Sequence, residues 1–150
     1  MAVKLINNMT NEQIAYLAGI IDGEGTISVS RKKDKTMKRK MSLRPFLSVA
    51  NTNLELIQWM YEITGLGQMS KLRISKNIKH TPFKRWTVWT RQAEQIVKLI
   101  LPYLIVKKLQ ALACLELLNN QKHVPGLTEE AWNKQLEIAD ILTKLNKRGK

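Results

Sequence analysis

Cysteine is almost absent from this chain of 150 residues, in which Cys114 is the only one. A single cysteine excludes a disulfide framework and every zinc site built on paired cysteines, so we expect a reducing, intracellular compartment. The first nine residues lack an apolar segment of signal-peptide length, and no stretch approaches the roughly 18 apolar residues of a membrane span. The sequence therefore predicts a soluble protein with no membrane partner.

Acidic residues are also scarce. The chain has 25 Lys and Arg against 12 Asp and Glu, which gives a net charge of +13. No acid occurs between Glu62 and Glu94. Charge of one sign on this scale favours a polyanionic partner, and nucleic acid is commoner than a membrane surface for a domain of this size. With 44% hydrophobic residues, residues 1–150 can form one domain with a real core but not two.

The most informative segment runs from Leu17 to Gly25 and reads LAGIIDGEG. Upstream of it, Thr10 and Gln13 fit a capping box, so we expect a helix from residue 11 to about residue 21. Gly23 and Gly25 should then stop that helix.

Small side chains share one face of this helix at the spacing i, i+3, i+4, i+7. Glycine in a helix interior costs about 1 kcal/mol relative to alanine, so its presence indicates that another backbone approaches there, with a second copy of the helix as the candidate. Small residues also occur in ordinary core helices, and spacing alone leaves both interpretations open. The face comprises Ala15, Ala18, Gly19 and Asp22.

Glu24 is expected just beyond the helix, where the negative end of the helix dipole gives an acid no stabilisation. Hard cations such as Mg2+ take carboxylate and backbone carbonyl oxygens, and the glycines beside Glu24 leave carbonyls free to turn toward an ion. A solvated turn acid is the alternative. The residues alone leave both open.

The whole segment closely resembles the signature of the LAGLIDADG homing endonucleases. The resemblance implies that Glu24 holds catalytic Mg2+, with Mn2+ as a substitute, and that Gly23 lends a backbone carbonyl. It also implies that the small face forms the two-fold core of a homodimer. Glu24 is one methylene longer than the commoner Asp. Seven positions match identically or conservatively: Leu17, Ala18, Gly19, Ile20, Ile21, Asp22 and Gly25.

Alternating residues predict strands at 26–31, 40–49, 68–76 and 83–90. Pro45 lacks a ladder donor and therefore favours an edge strand or a bulge. Trp86 and Trp89 should lie on opposite faces of their strand, one in the core and the other available to a partner.

Further helices are predicted by helical spacing and by caps. Thr52 with Glu55 should begin one that Gly65 ends, Thr90 should cap the next, and Thr128 the last. Another should span 106–118, with Leu109, Leu112, Ala113 and Leu117 buried.

The fold class is therefore α+β. We expect an αββαββα domain whose antiparallel sheet has one covered face and one open, basic face, followed by extra C-terminal helices at about 119–147. The resembled family has the same order of elements, and the resemblance covers roughly residues 10–118.

Polar and basic side chains line the two predicted hairpins. A basic antiparallel ribbon fits the DNA major groove, where each base pair shows a distinct pattern of donors and acceptors. The predicted contacts to double-stranded DNA are Ser28, Ser30, Lys32, Lys40, Ser42, Arg44, Ser48, Lys71, Arg73 and Lys84.

Two further residues gain a role from the resemblance. Lys107 matches a lysine that the family keeps near the reacting water, although an ordinary surface lysine is the alternative. Asn51 falls where some relatives place a polar residue that orients water, although it could instead cap a helix. The arginine found near that position in some relatives has no clear match here.

The function implied by the resemblance is a divalent-metal-dependent, site-specific double-strand DNA endonuclease. It would hydrolyse phosphodiesters at a long, near-palindromic site, leave 3′ overhangs, and act in intron homing from within an intron. A DNA-binding regulator without activity is one rival, which Glu24 disfavours because an acid there repels phosphate unless a cation lies between them. A maturase that binds intron RNA is the other, since a basic sheet can also hold structured RNA.

Overall fold

The computed structural model describes residues 6–36, 39, 41–74, 81–122 and 127–147. The predicted α+β order is confirmed. The elements are α1 (Asn11–Glu24), β1 (Gly25–Lys33), β2 (Met41–Asn51), α2 (Leu54–Thr64), β3 (Gln68–Met69), β4 (Lys84–Trp89), α3 (Thr90–Ile100), a 3-10 turn (Leu101–Tyr103), α4 (Lys108–Lys122) and α5 (Glu129–Leu145).

The four strands form one antiparallel sheet in the order β1-β2-β4-β3. Both predictions for Pro45 are wrong. The strand is not at the edge, since β2 lies between β1 and β4, and there is no bulge, since β1 and β2 pair in unbroken register through Pro45. The proline is tolerated because β4 pairs with β2 only from Phe46 onward. On that side, no ladder donor is needed at Pro45.

Strand β3 is shorter than predicted. Ser70 follows it, and the Ser70 hydroxyl oxygen, at 3.0 Å, accepts the backbone N–H of Arg85 that a regular ladder would give to a carbonyl. Beyond this point, a single bridge joins Arg73 to Phe83. Residues 75–80 of the predicted strand lie outside the described residues.

Helix α1 begins as predicted, with the Thr10 hydroxyl accepting the N–H of Gln13 at 3.1 Å and the Gln13 side chain accepting the N–H of Thr10 at 2.9 Å. Its predicted end at residue 21 is wrong, because the helix continues through Gly23 to Glu24. Gly25 ends it, donating its N–H to the Ile21 carbonyl. A Cβ at Gly25 would lie 2.8 Å from that oxygen, so no side chain fits at this change from helix to strand.

Two other predicted caps are wrong by one residue. Asn53, not Thr52, caps α2 by accepting the N–H of Leu56 at 3.2 Å. Thr90 is the first residue of α3 rather than its cap. The predicted ends at Gly65, which is left-handed with φ 64°, and at Thr128, which caps α5, are confirmed.

The helices cover one face of the sheet, where Ile27 and Leu47 are fully buried. Trp86 is buried there too, and its indole N–H donates to the Leu66 carbonyl at 2.9 Å. Trp89 lies half buried on the opposite face, so the predicted opposite faces and the core position of one tryptophan are confirmed, and contact of the other with a partner stays a prediction.

The buried stripe predicted for α4 is partly wrong. Leu109 and Leu112 are 55% and 45% exposed, and Ala111, Cys114 and Leu118 are buried instead. The helix is therefore rotated relative to the predicted stripe, because it must present a face to both the sheet and α5. Burial, followed by the nearby charge of Glu94, raises the pKa of Cys114 to about 12 and keeps the thiol protonated.

The C-terminal helix α5, to which the sequence assigns no role, packs against α4 and β1. Arg31 of β1 pairs with Asp140 of α5 at 2.9 Å. Just after the helix, the Asn146 side chain donates to the Ile27 carbonyl at 2.8 Å. The C-terminal helix and Asn146 therefore hold β1, the first strand of the β1-β2 hairpin, in place. None of the helices in the described part of the chain is long and apolar enough to span a membrane.

Candidate active site and nucleic-acid interface

The end of α1 presents several oxygen atoms together. Glu24 is its last residue, and both Glu24 and Gly23 are exposed. The last carbonyls of a helix have no partner within it. Here the Ile21 carbonyl accepts the Gly25 N–H, and the Asp22 carbonyl accepts the Lys107 ammonium at 2.6 Å. The Gly23 and Glu24 carbonyls come next along the chain.

Asp22 fixes the position of Lys107. Its carboxylate accepts the backbone N–H of Ile105 at 2.8 Å and that of Lys107 at 3.0 Å. The loop before α4 is thereby held against the end of α1. Lys107 is half buried, and its ammonium lies at the helix C-terminus, where a cation is stabilised by the helix dipole. It is therefore not an ordinary surface lysine.

Asn51 is the last residue of β2 and lies two residues beyond Val49, which pairs with Gly25. It is therefore at the end of the sheet where α1 enters β1. Its side-chain oxygen accepts the Asn53 N–H at 2.7 Å, so that oxygen belongs to the turn before α2. The helix cap itself is Asn53.

A groove of about 460 Å³ adjoins this site. Two of its polar residues, Gln110 and Asn146, were missed by the sequence analysis. No motif points to them, because they reach the site only through the packing of α4 and α5. The lining residues are Gly25, Thr26, Val106, Lys107, Gln110, Leu145 and Asn146.

The oxygen atoms at the end of α1 suit a hard divalent cation, but they are too few to complete its coordination. A carboxylate and a peptide carbonyl are the oxygen ligands that Mg2+ takes in proteins, and Mg2+ prefers six ligands in all. Within the described residues, no three His, Cys, Asp or Glu side chains are placed to hold a metal ion together. The remaining ligands must come from water, a substrate or a second chain.

The exposed face of α1 differs from the predicted one. Ala18 is fully buried in the chain's own core, and Asp22 is half buried against the loop before α4. Both are therefore wrong as members of a face open to a second copy. Ala15 and Gly19 are exposed as expected, and the open face is completed by Glu12, Tyr16 and Gly23.

Most predicted DNA contacts lie on accessible surface. Ser28, Ser30, Ser42 and Arg44 are half buried on the face that the helices leave uncovered, and Lys32 is exposed toward the hairpin end. Lys71 and Arg73 are exposed between β3 and β4. Lys40 lies outside the described residues.

Two of the predicted contacts are misplaced. Ser48 is only 2% exposed, because Arg85 lies over it and donates to its hydroxyl at 3.3 Å. Lys84 shares the strand parity of Trp86 and therefore projects toward the helix side. Arg85 and Thr87, which the sequence analysis missed, have the parity of Trp89 and occupy the open face. Strand parity would have found them once it was known which tryptophan is buried.

These features define an α+β protein whose uncovered sheet face is basic and whose first helix ends in an acid at one end of that sheet. The chain belongs to the LAGLIDADG endonuclease family, whose profile matches residues 17–116. Comparison with curated protein sequences gave no match.

Solved structures show the same fold. The homing endonuclease I-CvuI, in complex with DNA, is 21% identical with a TM-score of 0.76 over 93% of this chain and 84% of its own. The archaeal intron-encoded I-Vdi141I, complexed with DNA, is 22% identical with a TM-score of 0.79 over 93% and 87%. The meganuclease I-SmaMI, bound to DNA, is 18% identical with a TM-score of 0.72, and the match covers 85% of this chain but 43% of that one.

Proposed function

We propose that this chain is a divalent-metal-dependent, site-specific double-strand DNA endonuclease that acts as a homodimer. The observation that carries the proposal is that Gly23 and Glu24 are the last two residues of α1, at the helix end where the Lys107 ammonium binds the Asp22 carbonyl. Membership of the family supports nuclease chemistry. A basic, uncovered sheet beside that helix end supports double-stranded DNA as the substrate.

The exposed face of α1 supports assembly through that helix. A Cβ at Gly19 or Gly23 would meet no atom of the chain within 4 Å, so the fold of one chain does not require either glycine. Glycine at an interior helix position costs about 1 kcal/mol relative to alanine. Close approach of a second copy accounts for that cost. The match covers only 43% of I-SmaMI. This share is expected if the present chain corresponds to one of two similar units in that longer chain.

The residues divide the reaction between them. Glu24 and the Gly23 carbonyl would hold Mg2+ or Mn2+, and the same residues of the second copy would do so across the two-fold axis. Bound there, the cation supplies charge stabilisation and a water of lowered pKa. Lys107 offsets negative charge that builds on the phosphate or orients the attacking water. Asn51 contributes through its side-chain amide nitrogen, since its oxygen is held by Asn53.

The form of the products follows from the dimer. Two copies of Glu24 beside one axis face phosphates of opposite strands across the narrow minor groove. The nearest such phosphates are offset toward the 3′ side, so cutting leaves 3′ extensions. The two symmetric sheets require a long, near-palindromic site. An endonuclease of that specificity suits intron homing, and the gene is then expected within an intron.

The proposal is tested with Glu24→Gln, which keeps the shape of the side chain and removes its charge. Binding sites are first selected from a pool of random duplex DNA without divalent ions, and cleavage of the selected sites is then followed in Mg2+. We expect Glu24→Gln to bind as the native chain does and to cleave about 10³-fold more slowly, because a metal ligand is lost. Glu137→Gln, the same change at an exposed position of α5, is the matched control.

Cleavage by Glu24→Gln at the native rate would contradict the proposed role of the helix end. Native protein that selects a DNA site but never cuts it would indicate the regulator instead. Splicing of a group I intron RNA by the native chain, without DNA cleavage, would indicate the maturase.

A further inference from the structure

An aromatic pair lies on the uncovered face of the sheet, among hydroxyl and basic side chains. Phe46 of β2 is directly opposite Trp89 of β4, with ring centroids 5.1 Å apart and planes tilted by 45°. Both side chains are half buried, and neither is under a helix. Packing of the core does not account for two large rings at this place, which makes them candidates for contact with a partner.

Arg44 is part of the same group. It is two residues before Phe46 on the same face of β2, and its guanidinium carbon lies 4.4 Å from the centre of the Trp89 ring. Stacking uses the flat face of the guanidinium and leaves its N–H edge for hydrogen bonds. No ion pair involves Arg44 in the part of the chain that the structure describes. The arginine is therefore oriented in advance by a ring rather than neutralised by an acid.

We propose that Arg44, Phe46 and Trp89 form one base-reading unit that takes a guanine and an adjacent thymine in the major groove. This inference rests on the proposed function and specifies which bases one part of the sheet selects. The Arg44 edge donates to O6 and N7 of the guanine, the geometry that arginine makes best in this groove. The aromatic pair contacts the thymine C5 methyl, the only apolar group that the groove offers.

The two contacts are close enough together to serve neighbouring base pairs. The Arg44 guanidinium carbon lies 4.4 Å from the centre of the Trp89 ring, and adjacent base pairs are stacked about 3.4 Å apart. Ser30 pairs with Arg44 and Ser28 pairs with Phe46 in the register of β1 and β2. These hydroxyls can donate or accept and therefore adjust to the bases on either side. A phosphate would gain nothing from the rings, because it has no apolar surface.

The experiment compares the base preference at every position of each half-site for the native chain and its variants, selected from random duplex DNA without divalent ions. Arg44→Lys keeps the charge but loses the two parallel N–H donors that bind O6 and N7 of guanine together. It should reduce the preference for guanine at one position about 10-fold or more. Trp89→Thr should reduce guanine preference at that same position, because the arginine loses its support. Arg85→Lys, at the other arginine of this face, is the matched control and should change a different position.

Deoxyuridine in place of the neighbouring thymine removes only the methyl group. It should weaken binding of the native chain about 3-fold or more and should weaken binding of Trp89→Thr less, because only one ring of the pair, Phe46, remains in that variant. Trp89→Phe keeps a ring on the sheet, so it should retain the deoxyuridine effect and lower the guanine preference less.

Loss of affinity for all sequences alike in Arg44→Lys would overturn the inference and assign Arg44 to phosphate. Changes at unrelated positions in Arg44→Lys and Trp89→Thr would also overturn it. Either outcome leaves the endonuclease proposal intact as long as the native chain selects a site and cuts it. A native chain that selects no DNA sequence contradicts the proposed function itself.

Discussion

Asp22 holds a loop that is far away in sequence. Its carboxylate accepts the N–H of Ile105, 83 residues further along the chain, and that of Lys107. The same loop then brings the Lys107 ammonium to the Asp22 carbonyl. A residue that the sequence assigns to an interface between chains therefore acts within its own chain, where it holds Lys107 at the helix end that Glu24 terminates.

Lys107→Ala tests what this cation contributes. The loop should stay in place, because the two backbone N–H bonds to the Asp22 carboxylate do not involve the lysine side chain. Cleavage should fall about 10²-fold, as for loss of one charged group that acts on the transition state. Binding of the selected site should change only a few-fold. Single-turnover cleavage and equilibrium binding measure the two effects separately.

Lys108→Ala is the control for Lys107, since Lys108 is the next residue and is exposed. It should bind and cleave almost as the native chain does. An equal loss of cleavage in both variants would assign the effect to general charge on the DNA, and no loss in Lys107→Ala would remove Lys107 from the site.

Single residues were the least predictable part of the site. Gly23 and Glu24 are the last two residues of α1, and Lys107 binds the carbonyl of Asp22 just before them; their roles in metal binding and catalysis stay predictions. Ala18 and Asp22 were misplaced, because helical spacing shows which residues share a face but not what that face contacts. Ser48 was misplaced because the burial of a strand residue depends on its neighbour Arg85, which lies on another strand.

At the scale of elements, α1 is the part of the chain through which we propose that two copies assemble. Gly19 is exposed, and a side chain there meets nothing within the chain. Gly19→Leu should therefore still fold as a single chain. It should fail to dimerise, because the added side chain overpacks the closest approach of two helices. DNA cleavage should be lost with the dimer.

Sedimentation at about micromolar concentration distinguishes the two states. Glu137→Leu places the same side chain on exposed α5 and should remain a dimer. A Gly19→Leu dimer that still cleaves, or a native monomer that cuts both strands, would contradict assembly through α1.

Helices α3 and α4 are joined by a cluster around Glu94. Glu94 is 9% exposed. Its carboxylate accepts a hydrogen bond from the Lys122 ammonium at 2.9 Å and one from the Arg91 guanidinium at 3.4 Å. Burial acts to raise the pKa of Glu94, but the bond from Lys122 and the charges of Lys98 and Arg91 outweigh it and lower the pKa. A lowered pKa in the folded state means that the charged form stabilises the fold, and that this stabilisation is lost as the pH falls.

Glu94→Gln should lower the free energy of unfolding by about 1–3 kcal/mol near neutral pH, since bonds to charged groups are lost. The difference from the native chain should shrink as the pH falls below the usual glutamate range, where the native carboxyl also becomes protonated. Urea unfolding at one protein concentration and several pH values measures it. A difference that is independent of pH would show that the charge of Glu94 does not stabilise the fold.

The order and type of the elements were predictable because each has a local signal, such as the capping box of α1 or the alternation of β1. Their ends were less so. Helix α1 continues to Glu24 because the chain must turn directly into β1, where only Gly25 fits. Strand β3 ends early because Ser70 takes over a ladder bond. Both effects come from tertiary neighbours.

The whole molecule has two unlike faces. Helices α1 to α5 lie on one side of the sheet, and the other side is open, with Arg44 and Arg85 on it. With a net charge of +13, the molecule is attracted to a polyanion as a whole, and affinity for DNA should weaken with added salt. The charge and the fold class were readable from the sequence. The set of residues on the open face of the sheet could not be read from it, because that set depends on which strand face the helices cover.

The central claim is that two copies of the α1 end act on opposite strands across one minor groove. The most direct test is to cut a selected site with the native chain in Mg2+ and to sequence both ends of every product. The account predicts cuts on both strands within a few base pairs of the two-fold centre, with 3′ extensions. Blunt or 5′-extended ends, or cutting confined to one strand, would contradict it.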